Sequence, residues 1–230
     1  MTLPRIETPI FESKLASTGE SIRFRPFKVK EEKILMLASE SEEFEDMVSA
    51  CAQIITNCCL DKVDGHQLTM FDLQDLFLKI RAKSVGETSD FTLTCGECQK
   101  SIPYELQLSD MKVTGLDDLP NKFIKVTEEM GVQLKWPTAR IAAQIDKLED
   151  DELVAKCIDY VVDGEETFST KDEPIEEVIS FIEDLPIETM DEIREFFIRM
   201  PRIEHTVEFK CPSCEKDNAV SINGYEHFFG

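Results

Sequence analysis

Eight cysteines stand among the 230 residues, and four of them fall in two C-x-x-C pairs, Cys95-Gly96-Glu97-Cys98 and Cys211-Pro212-Ser213-Cys214. Gly96 or Pro212 follows the first cysteine in each pair, as a tight turn requires. Two such knuckles brought face to face offer four sulfurs at the corners of a tetrahedron. Zinc suits that donor set, because it has no geometric preference of its own and binds thiolate at about 2.3 Å. Sulfur takes all four positions and leaves none for an activated water. The expected Zn²⁺ is therefore structural rather than catalytic. The pairs of a ribbon usually stand about 15–20 residues apart, whereas 112 residues separate Cys98 from Cys211. The spacing predicts an insertion whose ends return to one place. A thioredoxin-like site would need a helix N-terminus in a βαβ setting, which neither pair has. Two separate disulfides would need an oxidising compartment. Structural thiols without metal remain an alternative.

The knuckles need strands on both sides. Residues 88–94 and 102–108 read as strands around the first pair, and residues 204–210 and 219–223 around the second. Residues 1–20, with Pro4 and Pro9 and no clear period, read as an extended N-terminal arm. Residues 21–29 alternate, with Ile22, Phe24 and Val29 inward and Arg23 and Arg25 outward; Pro26 confines them to an edge or ends them early. Glu31 opens a helix. Ser41 caps a second, which runs to about Asn57 with Phe44, Met47, Val48, Cys51, Ile54 and Ile55 on one side. Thr69 followed by Asp72 is a capping signature. Leu73, Leu76, Phe77 and Ile80 then recur at helical spacing, which predicts the best-buried helix of the N-terminal half. Cys51, Cys58, Cys59 and Cys157 lie in helix-like segments and are expected as small apolar core residues. A short strand is expected around Val132–Trp136. From Thr138 to Met200 the spacing predicts helices throughout, over 138–148, 151–162, 174–184 and 187–199, with Pro174, Pro186 and Pro201 at the joints. The expected fold class is α+β. It comprises a mixed region over 21–115 with the first knuckle, an acidic helical insertion over 116–202, and the second knuckle with a C-terminal strand over 203–230. The two knuckles together make a zinc ribbon.

With 47 acidic and 25 basic residues the formal net charge is −22. Nucleic-acid binding needs a basic footprint that the whole chain lacks. No apolar run approaches the roughly 20 residues of a membrane span. The first residues show no signal-peptide type of apolar stretch, so the cytoplasm is the expected location. Charge is unevenly placed. Residues 149–199 carry 18 acidic side chains against 4 basic. Residues 21–35 carry Arg23, Arg25, Lys28, Lys30 and Lys33 against Glu31 and Glu32. Both stretches read either as solvated surface or as complementary docking faces. The five basic residues are the candidate partner-binding surface, and the acidic insertion is the candidate face that relieves them.

No catalytic residue is predicted. His66, His205 and His227 show no metal-binding or triad spacing, and no phosphate loop or nucleophile motif occurs. Asp61 and Asp64 suggest a calcium loop, but its glycine falls fifth instead of sixth and no glutamate closes it. No small-molecule substrate is expected. Beside docking, a zinc-ribbon regulatory module near nucleic acid stands as a second reading, which the charge opposes. A metal-dependent hydrolase would need an open coordination position.

The string from Ile22 to Ala38, Ile-Arg-Phe-Arg-Pro-Phe-Lys-Val-Lys-Glu-Glu-Lys-Ile-Leu-Met-Leu-Ala, resembles the opening of the baseplate hub assembly proteins of T-even-type phages. The string from Leu73 to Glu87, ahead of the first knuckle, is similar to the same family at a similar place. The resemblance covers most of the chain, more surely residues 1–115. It implies work on the hub at the centre of a contractile-tail baseplate, as scaffold, chaperone or component. It further implies other hub proteins, or further copies of itself, as partners. The implied location is the host cytoplasm during assembly, or the tail baseplate of the virion. It brings no catalytic residues.

Overall fold

The alternation over residues 11–24 makes a hairpin. β1 (Phe11–Lys14) runs antiparallel to β2 (Ser21–Phe24), with Ile22 and Phe24 buried. The segment expected as an arm thus supplies a strand. The structure is a computed structural model that describes residues 6–41 and 43–223. Residues 1–5 of the expected arm, and His227 with the rest of 224–230, lie outside the described residues. The chain forms two compact units. One holds the chain up to Thr114 and from Arg202 onward; the other is Gly115–Pro201.

In the first unit, α1 (Val29–Ser41) is followed by α2 (Phe44–Cys58). Ser41 does not cap α2. Its hydroxyl donates to the Ala38 carbonyl at 2.8 Å, and Glu43 takes the cap position without a side-chain hydrogen bond. The apolar stripe of α2 is buried at Val48, Cys51, Ile54 and Ile55. A short turn at Gly65–Gln67 leads into α3 (Met70–Ser84), which begins as its sequence predicts: the Thr69 side chain accepts from the Asp72 amide. Asp72 also accepts from the Thr69 hydroxyl at 2.7 Å and from the Ser17 amide at 3.0 Å, so the cap ties α3 to the loop after β1. Leu73, Leu76, Phe77 and Ile80 are all at most 2 % exposed. After α3 come β3 (Thr88–Thr94), β4 (Ser101–Gln107) and β5 (Lys112–Thr114).

The second unit corrects the expectation of helices throughout 138–200. It contains a four-stranded antiparallel sheet in the order β6 (Phe123–Lys125), β7 (Met130–Leu134), β8 (Ile158–Asp163) and β9 (Glu166–Ser169). Around it lie α4 (Ala139–Ala142), α5 (Asp150–Cys157), α6 (Ile175–Glu183) and α7 (Ile187–Ile198). The helical period of 151–162 holds only as far as Cys157. Beyond it, Ile158, Tyr160, Val161 and Val162 are β-branched or aromatic residues that favour a pleated surface. Gly164, at φ +60°, then turns the chain, and Asp163 pairs with Glu166 across a two-residue loop. Trp136 stacks on Phe196 of α7 with ring centroids 4.0 Å apart, inside the apolar interior of this unit.

The chain re-enters the first unit as β10 (Arg202–Lys210) and β11 (Asp217–Asn223). β10 is central, antiparallel to β11 on one side and to β5 on the other. The β3–β4 and β10–β11 hairpins share one core. Leu93 and Leu106 of the first meet Val207 and Ile222 of the second, with Leu78 of α3 alongside. This core brings together the tips of two hairpins that are far apart in sequence.

Candidate metal centre

Each C-x-x-C is the tip of a hairpin, and the two tips are built alike. Thr94 pairs with Ser101 and Lys210 with Asp217, so each tip is a loop of six residues. In the first, the Cys95 amide donates to the Lys100 carbonyl at 3.0 Å and the Gln99 amide to the Cys95 carbonyl at 3.0 Å. In the second, Cys211 donates to Lys216 at 2.9 Å and Glu215 to Cys211 at 2.9 Å. The residue after the second cysteine is left-handed in both, Gln99 at φ 56° and Glu215 at φ 57°. Neither is a glycine, although this region disfavours side chains. Nothing in the local sequence signals it.

The tips meet at their sulfurs. Cys95 Sγ lies 3.7 Å from Cys214 Sγ, and Cys98 Sγ lies 3.6 Å from Cys211 Sγ. All four sulfurs lie within 4.8 Å of one another. A tetrahedron with bonds of about 2.3 Å has edges of about 3.8 Å, so the four thiols fit a tetrahedral thiolate-bound metal. A disulfide would need about 2.05 Å, and all four thiols are free. Cys95 and Cys211 are buried, Cys214 is half-buried and Cys98 is exposed.

The electrostatics favour thiolate at two of the four. The Cys98 amide, with help from that of Glu97, holds the Cys95 thiol down at about 6 against the effect of burial. The Cys214 and Ser213 amides lower Cys211 in the same way. At Cys214 the Lys216 amide also favours the thiolate. Burial and the neighbouring Cys98, Cys211 and Cys95 sulfurs outweigh it and push the thiol up to about 12. Four sulfurs so close do not all ionise together unless a cation neutralises them. Outside the cluster, burial pushes Cys51 well up, Cys58 to about 11 and Cys59 and Cys157 to about 12. Cys51, Cys58 and Cys157 are buried packing residues as expected, whereas Cys59, just past the end of α2, is half-buried.

Asn218 also bridges the knuckles. Its Oδ1 accepts from the Gly96 amide at 3.0 Å, and its Nδ2 donates to the Lys216 carbonyl at 2.9 Å. The matching position in the second knuckle is Pro212, which has no amide to satisfy. Sequence reasoning missed Asn218, because an asparagine at the start of a strand gives no signal until its partner hairpin is known.

The five basic candidates are placed otherwise. Arg23 pairs with Asp61 at 2.7 Å on the surface. Arg25, with its side chain 14 % exposed, reaches the fully buried Glu31 at 3.0 Å and the Asn57 carbonyl at 2.9 Å. Lys30 meets Glu31 from outside at 3.2 Å. Asp61 and Glu31, both in the same unit, thus supply the relief expected of the acidic insertion for Arg23, Arg25 and Lys30. Arg25 is a packed residue and not a free surface charge. Lys28 and Lys33 are exposed and carry no ion pair among the described residues. His66 is half-buried in the Gly65–Gln67 turn and His205 half-buried on β10; the described residues bring neither to the sulfur cluster.

No helix among the described residues is long and apolar enough to cross a membrane. No curated protein and no solved structure matches the chain. The sequence profile described as T4 bacteriophage base plate protein matches residues 8–230, nearly the whole chain. A match of that extent takes in both knuckles and everything between them, and the chain belongs to the T4 bacteriophage base plate protein family.

Proposed function

We propose that this chain acts in assembly of the baseplate hub of a contractile phage tail, as scaffold, chaperone or structural component, through protein–protein contacts and without catalysis. The family match over residues 8–230 carries the reading. The hub-like strings at 22–38 and 73–87 narrow the baseplate to its hub. In this reading Cys95, Cys98, Cys211 and Cys214 hold a structural Zn²⁺ that fastens the second hairpin to the first. Sulfur–sulfur separations of 3.6 and 3.7 Å support it. The partner contact is the segment Arg23–Lys33. Arg23 and Arg25 anchor it through Asp61 and Glu31, while Lys28, Lys30 and Lys33 face solvent. The chain is organised as an arm over 1–20, a body of 21–115 and 203–230, and an acidic insertion over 116–202. Partners are other hub proteins and further copies of the chain. A net charge of −22 speaks against nucleic acid. The protein works in the host cytoplasm during assembly and, as a component, in the virion baseplate.

The test is recovery of a tagged chain from phage-infected cells. Hub proteins should co-purify with it, and phage lacking the chain should accumulate unfinished hubs. Normal hubs without it would sink the reading.

A further inference from the structure

The four sulfurs sit on two hairpin tips from distant parts of the chain, and thiolates at such distances repel one another. Contacts other than the sulfurs must therefore hold the tips in register. Asn218 makes such a contact to the backbone of each knuckle. It stands near the start of β11, opposite Phe209 of β10 and one residue past the Lys210–Asp217 pair that closes the second tip. The ladder fixes where its side chain begins. From there Oδ1 accepts from the Gly96 amide at 3.0 Å and Nδ2 donates to the Lys216 carbonyl at 2.9 Å. That same Lys216 carbonyl accepts from the Cys211 amide at 2.9 Å. Gly96 follows Cys95 directly. A chain of hydrogen bonds thus runs from the backbone beside one buried thiol, Cys95, to the backbone of the other, Cys211.

The chemistry of this chain admits an amide and little else. A backbone N–H only donates and a carbonyl only accepts, so the Asn218 side chain has one orientation. A carboxylate could serve Gly96 but has no proton for Lys216, and an aliphatic side chain serves neither. Gly96 is held at its other backbone group too, because its carbonyl accepts from Gln99 Nε2 at 3.1 Å. The second knuckle has Pro212 where the first has Gly96, and proline has no amide to give. At this position only the first knuckle can donate, so the contact runs one way, from the first knuckle to a side chain rooted in the second hairpin.

We propose that Asn218 is a positioning residue for the metal, a step that rests on reading the four cysteines as its ligands. Asn218 joins the knuckles so that Cys95, Cys98, Cys211 and Cys214 present their sulfurs as one site before an ion arrives. The fold then offsets part of the cost of gathering four thiolates, and the ion is held more tightly. Asn218 touches no ion itself. It acts through the backbone of Gly96 and Lys216.

The test is cobalt titration of the full-length, reduced protein against a competing chelator, read by thiolate-to-cobalt absorption. Wild type should show the bands of a tetrahedral four-thiolate site. Asn218→Ala should show bands of the same shape and bind about tenfold more weakly. Gly96→Pro removes the donor alone and copies the second knuckle. Gly96 does not take a positive φ, so proline is compatible with the backbone there. This variant should also weaken binding several-fold. The two substitutions break one contact from its two sides, so the double variant should bind no worse than Asn218→Ala alone. Ser221→Ala, an exposed change farther along β11, should bind like wild type. The inference falls, and the metal reading stands, on any of three results. These are Asn218→Ala binding as tightly as wild type, single effects that multiply in the double variant, and equal weakening by Ser221→Ala. If wild type itself shows no four-thiolate bands, the metal reading falls and takes this inference with it.

Discussion

Thr114 faces Arg202 directly across the β5–β10 ladder, although 87 residues lie between them in the chain. The Thr114 hydroxyl lies 3.2 Å from the Arg202 carbonyl oxygen and 2.9 Å from a Glu204 carboxylate oxygen. The chain therefore leaves for Gly115–Pro201 and returns on neighbouring strands. Facing residues in an antiparallel pair can be joined by a two-residue loop, for which Asn-Gly is favoured. Replacing residues 115–201 by Asn-Gly should give a shortened protein that keeps the four-thiol cluster. Cobalt titration should show tetrahedral thiolate bands of the same shape in both proteins. Loss of those bands in the shortened chain would contradict the arrangement.

Metal analysis of protein purified under reducing conditions without chelator should find one zinc per chain. Cys211→Ser removes a buried thiol of the cluster and should abolish stoichiometric binding. Cys157→Ala, also at a buried cysteine, should leave metal content unchanged and cost only packing. Metal binding supplies folding free energy of order 10 kcal/mol in small zinc modules. Chelation should accordingly lower the thermal midpoint of wild type and leave that of Cys211→Ser nearly unmoved.

The Arg25–Glu31 pair sets a test of stability against pH. Burial, the largest influence on Glu31, pushes its carboxyl up. Arg25, the Lys28 amide and Lys30 together pull it further down, so it ends below the ordinary value of 4.5. A carboxylate lowered on folding contributes stability above its unfolded value and loses it as pH falls through the folded one. The stability advantage of wild type over Glu31→Gln should be constant at neutral pH and shrink below about pH 4.5. Arg25→Ala leaves Glu31 buried with only Lys30 beside it, and should cost about 3 kcal/mol at pH 7. Lys33→Ala, on the surface, should cost less than about 0.5 kcal/mol. Urea titrations of the three variants provide the comparison.

Gly65 is fixed by a close approach. A Cβ built there would stand 2.2 Å from the Ala52 carbonyl oxygen of α2, and that contact is backbone. The Gly65 amide also donates to the Thr56 hydroxyl at 2.9 Å, which holds the turn against the helix. Gly65→Ala must lift the turn away and should destabilise by about 3 kcal/mol. Gly86→Ala meets open space at φ +154° and carries only the backbone cost, so it should be milder. A larger effect at Gly86 than at Gly65 would be inconsistent with this packing.

The meeting of the four cysteines was legible in the sequence because two features coincided, the C-x-x-C spacing and the strands on both sides of each pair. The helix of Leu73, Leu76, Phe77 and Ile80 was legible for a similar reason: a cap at Thr69 and an apolar period agreed. The β8–β9 hairpin was hidden because Val154, Cys157, Ile158 and Val161 happen to keep a helical period across a helix–strand boundary. Its better signal was Asp163-Gly164 after a β-branched run. Glu31 was hidden for a different reason. A glutamate between lysines normally belongs to the surface, and only the fold brings Arg25 over it. Asn218 and the left-handed Gln99 and Glu215 depend on how two distant hairpins meet, which no local pattern reports.

The distance between the knuckles also imposes an order in time. A ribosome releases the chain from its first residue, and Cys214 follows Cys98 by 116 residues. At about 5–20 residues per second, Cys98 emerges roughly 6–23 s before its last partner. During that interval the first hairpin has only two of its four sulfurs and cannot complete a tetrahedron. All of Gly115–Pro201 emerges within the same interval. Closure of the sulfur cluster thus follows the synthesis of all of Gly115–Pro201, and only chains translated past Cys214 can reach it.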